Sequence, residues 1–133
     1  MHTPNFGERK LTELDYTRLK KLTAANVTRQ LDDLLDEADV VPARAIPPDV
    51  VTMYAKIVIH DLRLQRRQVV VVCYPADAEP AAGFISVLSP AGMGLIGLPV
   101  GSIARWSGPS GEESLVEIEG VLFQPEATGD YVT

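Results

Sequence analysis

The sequence predicts an α+β chain: a short N-terminal antiparallel helical hairpin, then an antiparallel sheet carrying one short helix. Three observations predict it. Apolar residues recur at helical spacing between positions 11 and 38. From position 51 the period changes to two, in runs rich in valine and isoleucine. A helix-start signature, Ser89-Pro90, then interrupts the strands, with Gly97 placed to stop the helix. Helices first and strands afterwards are the pattern of a segregated α+β architecture.

Residues 1–10 read as a flexible arm. Leu11, Leu14, Leu19 and Leu22 then mark a first helix, with Glu13, Asp15, Arg18, Lys20 and Lys21 as its charged face. Val27, Leu31, Leu34, Leu35 and Ala38 mark a second. Thr23-Ala24-Ala25-Asn26 separates the two, and Asn26 is a suitable cap for the second. So short a link pairs the helices as a hairpin over 11–41, roughly 20 Å tall at the usual rise per residue. The hairpin either projects or lies flat on the rest of the chain, since each apolar stripe needs a cover.

Pro42, Pro47 and Pro48 make 42–50 a linker and end the second helix before it. The remaining domain, 51–133, alternates strands and turns. Val51, Met53, Ala55, Ile57 and Ile59 share one face of a first strand; Arg67 to Tyr74 form a second. Asp61 to Arg66 turn the chain between them without a glycine. Residues 75–83 are a proline-marked loop. Phe84 to Leu88 form a third strand, Ser102 to Trp106 a fourth and Leu115 to Phe123 a fifth. Strands 51–60 and 67–74 are expected to pair, as are 102–106 and 115–123. The tail after Gln124 packs on an edge, with Gly129 in a turn.

The helix at 89–97 is the element that the sheet domain is organised around. Ser89 caps it, Pro90 takes the first helical position, and Met93, Leu95 and Ile96 give it apolar bulk. Gly92 and Gly94 each cost roughly 1 kcal/mol relative to alanine inside a helix. A helix of about two turns with that handicap is formed only against a sheet.

Composition narrows the function. The chain has 133 residues, 46 % apolar and 23 % charged, which suits one ordinary domain or a domain with an appendage. The net charge of −6 is uneven: residues 1–26 carry +2, residues 27–60 −3 and residues 61–133 −5. An acidic chain is a poor binder of nucleic acid through its phosphates, and sequence-specific nucleic acid is not expected as a partner. No apolar run reaches bilayer length and the first residues lack a signal-peptide centre, so the expected location is the cytoplasm and no membrane partner is expected.

Catalytic chemistry is sparse. There is no phosphate loop with its lysine, no dinucleotide fingerprint, no zinc spacing and no nucleophile elbow. His60 reads as a surface residue and Cys73 as an inert buried thiol. Asp32 and Asp36 stand four apart on one helical face, where like charges repel unless a cation intervenes. Trp106 reads as core.

Three stretches carry a resemblance: Pro48 to Met53; Ser89-Pro90-Ala91-Gly92 continuing to Leu95-Ile96-Gly97 and Val100-Gly101; and Phe123 to Tyr131. Together they resemble the Gre family of transcript-cleavage factors, and within it the short regulators of nucleoside diphosphate kinase. The resemblance is closest over 48–133. It implies an FKBP-like C-terminal domain, an N-terminal coiled coil, no cofactor or resident metal, and bacterial RNA polymerase as partner, near its secondary channel. In that family the serine and proline opening the short helix touch a coiled coil on the polymerase's largest subunit. They match Ser89 and Pro90, with Ala91, Gly92 and Met93 completing the stretch; a purely structural capping role is the alternative.

The chain also departs from the family. Cleavage factors carry two acids at the hairpin tip, which help hold a catalytic magnesium. The matching tip here is Lys20, Lys21, Thr23, Ala24, Ala25 and Asn26, without a carboxylate. Asp32 lies about 9 Å down the second helix by its rise. The expectation is a non-enzymatic regulator that binds RNA polymerase, competes with Gre-type factors and does not stimulate cleavage. The alternatives are a cleavage factor using Asp32 and Asp36, a prolyl isomerase, and a direct regulator of nucleoside diphosphate kinase.

Overall fold

In the computed structural model, residues 8–26, 29–108 and 110–131 are described. The chain enters not as an arm but as a strand, β1 (Lys10–Thr12), followed by α1 (Glu13–Asn26), α2 (Arg29–Glu37) and β2 (Asp39–Val41). β1 and β2 pair in parallel, Lys10 opposite Asp39, and clasp the helix pair at its base. The Lys10 N–H donates to the Gly97 carbonyl at 2.9 Å and the Asp39 N–H to the Arg9 carbonyl at 3.0 Å. The expectation of a loose arm therefore fails for Arg9 and Lys10; residues 1–7 lie outside the described residues.

Leu11 is a strand residue, not the first of a helical stripe. Thr12 caps α1 instead, its Oγ1 accepting from the Asp15 N–H at 3.0 Å. The buried face of α1 is Asp15, Leu19 and Thr23, four apart, so a carboxylate sits where an apolar residue was expected. α1 also runs on through Thr23, Ala24, Ala25 and Asn26, which are its last turn rather than a link. The expected second stripe begins at Val27, outside the described residues; Leu31 and Leu35 are buried on α2 as expected.

The sheet domain holds β3 (Lys56–Asp61), β4 (Arg66–Cys73), β5 (Phe84–Ser86), α3 (Pro90–Leu95), β6 (Ile103–Ser107) and β7 (Glu113–Phe123). Its order is β5-β4-β3-β7-β6. The two expected hairpin pairings form, β3 with β4 and β6 with β7, both antiparallel. β5 runs parallel to β4, so the sheet is mixed rather than wholly antiparallel. The 75–83 segment makes this possible by returning the chain to the same end of β4 through two 3-10 turns, Pro75–Asp77 and Pro80–Ala82.

β3 starts five residues later than its period-two pattern. Tyr54 has φ +67°, a left-handed backbone that breaks the ladder, and the Val51 N–H bonds to the Leu98 carbonyl instead. The glycine-free β3–β4 turn is built by Asp61, whose Oδ1 accepts from the N–H groups of Arg63 and Leu64, both at 2.9 Å, and by Gln65 at φ +54°. The tail is tied by Gln124, whose amide donates to the carbonyls of Pro47 and Val50, both at 2.9 Å.

One core joins both parts. Leu11, Leu19, Leu31 and Leu35 belong to the same buried cluster as Val51, Met53, Ile57, Leu95, Ile96 and Ile118. The helix pair thus has its apolar stripe closed partly by its own partner and partly by the sheet domain. None of the described helices is long and apolar enough to cross a membrane.

Candidate docking site

α3 is positioned by close approach. A Cβ at Gly92 would lie 2.0 Å from the Ser86 carbonyl oxygen, so only glycine lets α3 sit on the end of β5. At Gly94 it would lie 2.9 Å from Cε3 of Trp106, whose ring covers that turn. The helix cost of these glycines is therefore exchanged for packing. Ser89 Oγ accepts from the Gly92 N–H at 3.1 Å and donates to the Ser86 carbonyl at 2.7 Å. Gly97 ends the element with φ +81°, as its position predicted.

This geometry sorts the expected contact residues. The Ser89 hydroxyl is occupied in holding the helix start, and Gly92 is buried. Pro90 is exposed, and Ala91 and Met93 are half-exposed. The surface of the stretch is therefore an apolar crest of Pro90, Ala91 and Met93. From behind, Arg9 braces it: its guanidinium donates to the Met93 and Gly94 carbonyls at 3.3 and 3.0 Å.

A groove lies on each side of the crest. One, of about 350 Å³, runs between Pro90 and Met93 and the α2 residues Gln30 and Leu34. The other, of about 390 Å³, has Ala91, Ile85, Ile59 and Val116 in its walls and ends at Leu64 and Arg66. Trp106 lines both. The ring is packed against the core yet partly exposed, so the core assignment made from sequence describes only one of its faces.

The hairpin end is differently made. Lys21, Ala24 and Ala25 are exposed, while Thr23 is buried. Lys20 does not point to solvent as a free charge. Its Nζ lies 2.8 Å from Asp32 Oδ1 and 2.7 Å from Asp36 Oδ1. The Asp32 carboxyl is held below its usual range chiefly by that hydrogen bond, and Lys20 is raised by the same two partners. An ammonium thus fills the position that a cation would take between these carboxylates.

Two clusters were not legible from sequence. Asp15 is 1 % exposed; its carboxylate accepts from the Met53 N–H at 3.2 Å, and burial raises its pKa to about 7. His60, Glu117 and Glu119 bring ligand-type atoms within 4.8 Å of one another on adjacent strands. The His60 side chain is only 15 % exposed, less than a surface residue would be. Glu119 is held by Arg67, 2.7 Å from Nε to Oε1, which lowers its pKa. Cys73 is buried, and desolvation raises its thiol pKa, the direction of an inert sulfur.

Comparison with known proteins bears on both the sheet domain and the helices. Residues 46–122 match the family described as transcription elongation factor GreA/GreB, C-terminal. The regulator of nucleoside diphosphate kinase of Escherichia coli strain K12 is 35 % identical over 98 residues, covering 74 % of this chain and 72 % of that protein. Transcription elongation factor GreA of Clostridium botulinum strain Langeland is 32 % identical over 82 residues, 62 % of this chain and 51 % of that one. The solved prokaryotic transcription elongation factor GreA/GreB from Nitrosomonas europaea superposes with a TM-score of 0.73 at 29 % identity, over 87 % of this chain and 98 % of that one. These relatives are named as a regulator and as elongation factors, and the superposition shows that the fold is shared along nearly the whole of the solved one. The chain belongs to the GreA/GreB transcription elongation factor family, in the group that holds the regulator of nucleoside diphosphate kinase.

Proposed function

We propose that this protein is a non-enzymatic transcription regulator that docks on bacterial RNA polymerase beside its secondary channel. It occupies the site used by Gre-type factors and competes with them without stimulating transcript cleavage. The observation that carries the reading is the crest of Pro90, Ala91 and Met93: an apolar surface held rigidly by a capped helix, a glycine seat and the Arg9 brace. The 51–133 segment is the docking module, with an FKBP-like arrangement of sheet and helix, and 11–41 is a hairpin too short to reach far. Lys20 supports the absence of cleavage, since it neutralises Asp32 and Asp36 from within the hairpin.

Pro90→Glu tests the contact. An acidic residue is well tolerated at the first position of a helix, so the variant keeps its fold while setting a charge on the crest. The wild type is expected to bind purified core RNA polymerase, to displace a Gre-type factor, and to leave a backtracked complex uncleaved in magnesium. The variant is expected to bind at least tenfold more weakly. Equal binding by both proteins removes the crest from the interface. Absence of wild-type binding removes the function.

A further inference from the structure

The crest alone is a small contact, and the surface around it has a distinct chemistry. Stable interfaces need far more area than one proline and its neighbours, and their energy concentrates in a few aromatic and arginine anchors ringed by less critical residues. Trp106 is the only tryptophan of the chain, and its ring walls both grooves flanking the crest. At the far end of the second groove Leu64 is 66 % exposed, an apolar side chain left in water at a turn.

The charge around this surface runs against that of the chain. The ionisable residues lining the two grooves are Arg9, Arg66, Arg105 and Asp61, on a protein whose net charge is −6. Arg105 is 61 % exposed and ion-paired with Glu113, a pair that an acidic partner would have to share or displace. Basic groups gathered on one face of an acidic protein favour an acidic partner surface and steer its approach.

We infer that Trp106 is the apolar anchor of the docking surface and that Arg66 and Arg105 are its electrostatic rim. The occupant is an acidic protein segment that straddles the start of α3 and places an apolar side chain against the tryptophan from each groove. This rests on the polymerase-docking reading and adds to it the partner's chemistry, acidic and apolar, and a contact area reaching from α2 to the β3–β4 turn. Gly94 gains a reason in turn: without a Cβ it lets the tryptophan ring close on α3 between the two grooves.

The test measures binding of the full-length chain to purified core RNA polymerase over a series of salt concentrations. Arg66→Glu and Arg105→Glu alter exposed side chains and leave the core alone. Each is expected to weaken binding about tenfold at low salt, with the difference shrinking as salt rises. Trp106→Ala is expected to weaken binding at least tenfold at every salt concentration, with circular dichroism confirming the fold. Lys56→Glu, on a strand outside both grooves, is expected to bind as the wild type does. If the three groove variants bind normally while Pro90→Glu does not, the contact ends at the crest and the inference falls, with the docking reading intact. If the charge reversals tighten binding, the partner surface is basic and the inference falls as well. If the wild type itself does not bind, the docking reading fails and takes this one with it.

Discussion

Asp15 is the residue whose environment departs furthest from its sequence pattern. On paper it belongs to the charged face of a helix. In the fold it is sealed between α1 and the segment before β3, accepting from the Met53 N–H and facing Glu126, which raises its pKa, and Arg18, which lowers it. Desolvation outweighs these and brings the folded pKa to about 7 from 3.8. The folded state therefore holds the proton over a range where the unfolded chain has lost it. By linkage, the stability this group contributes is full below about pH 4 and is lost as the pH rises to about 7. At about 1.36 kcal/mol per pKa unit the loss is on the order of 4 kcal/mol. Asp15→Asn, which cannot ionise, is expected to remove that slope and to be the more stable protein at pH 8. Chemical denaturation of both proteins between pH 5 and 8.5 checks it, and parallel curves would refute it. The Thr12 cap was missed by a reading that began the helix at Leu11, although a threonine three residues ahead of an acid is a helix-start pattern. What sequence could not give was the turn of the carboxylate away from that box toward Met53, which depends on a neighbour 38 residues away.

At the scale of elements, the features read correctly were those that local chemistry decides. Ser89, Pro90 and Gly97 delimit α3 because capping, ring geometry and positive φ act within a few residues. The β1–β2 clasp was missed because three residues per strand are too few to show a period. The Lys20 bridge was missed because it depends on the register between α1 and α2, which the periodicity of either helix alone does not give. Tyr54 hid the true start of β3 because nothing in a tyrosine announces a left-handed backbone. The glycines of α3 were read as a cost, and the fold shows what they permit. Gly92→Ala raises helix propensity yet places a methyl 2.0 Å from a backbone oxygen. Overpacking of that kind costs about 1–3 kcal/mol, which outweighs the roughly 1 kcal/mol gained in propensity. The variant is expected to melt below the wild type by thermal circular dichroism, and an unchanged or raised midpoint would show that α3 is free to shift off β5.

For the whole molecule the decisive fact is that helices and sheet share one core. Leu11, Leu19, Leu31 and Leu35 are buried in the same cluster as Val51, Leu95 and Ile118. β1 also bonds to Gly97 beyond α3, and Arg9 holds the α3 carbonyls. A helix pair of 14 and 9 residues has little stability by itself, as isolated helices of that length are marginal in water. Its folding must then be coupled to that of the sheet domain, and the crest at α3 depends on both. Two independent signals separate this from a detachable hairpin. Ellipticity at 222 nm is dominated by α1 and α2, while fluorescence of the single tryptophan, Trp106, reports on β6 and its packing against α3. In urea the two transitions are expected to coincide in midpoint and slope, as a single cooperative unit requires. An earlier loss of ellipticity would mean that the hairpin opens first, and the docking surface would then lose Gln30 and Leu34 from its wall before the sheet domain unfolds.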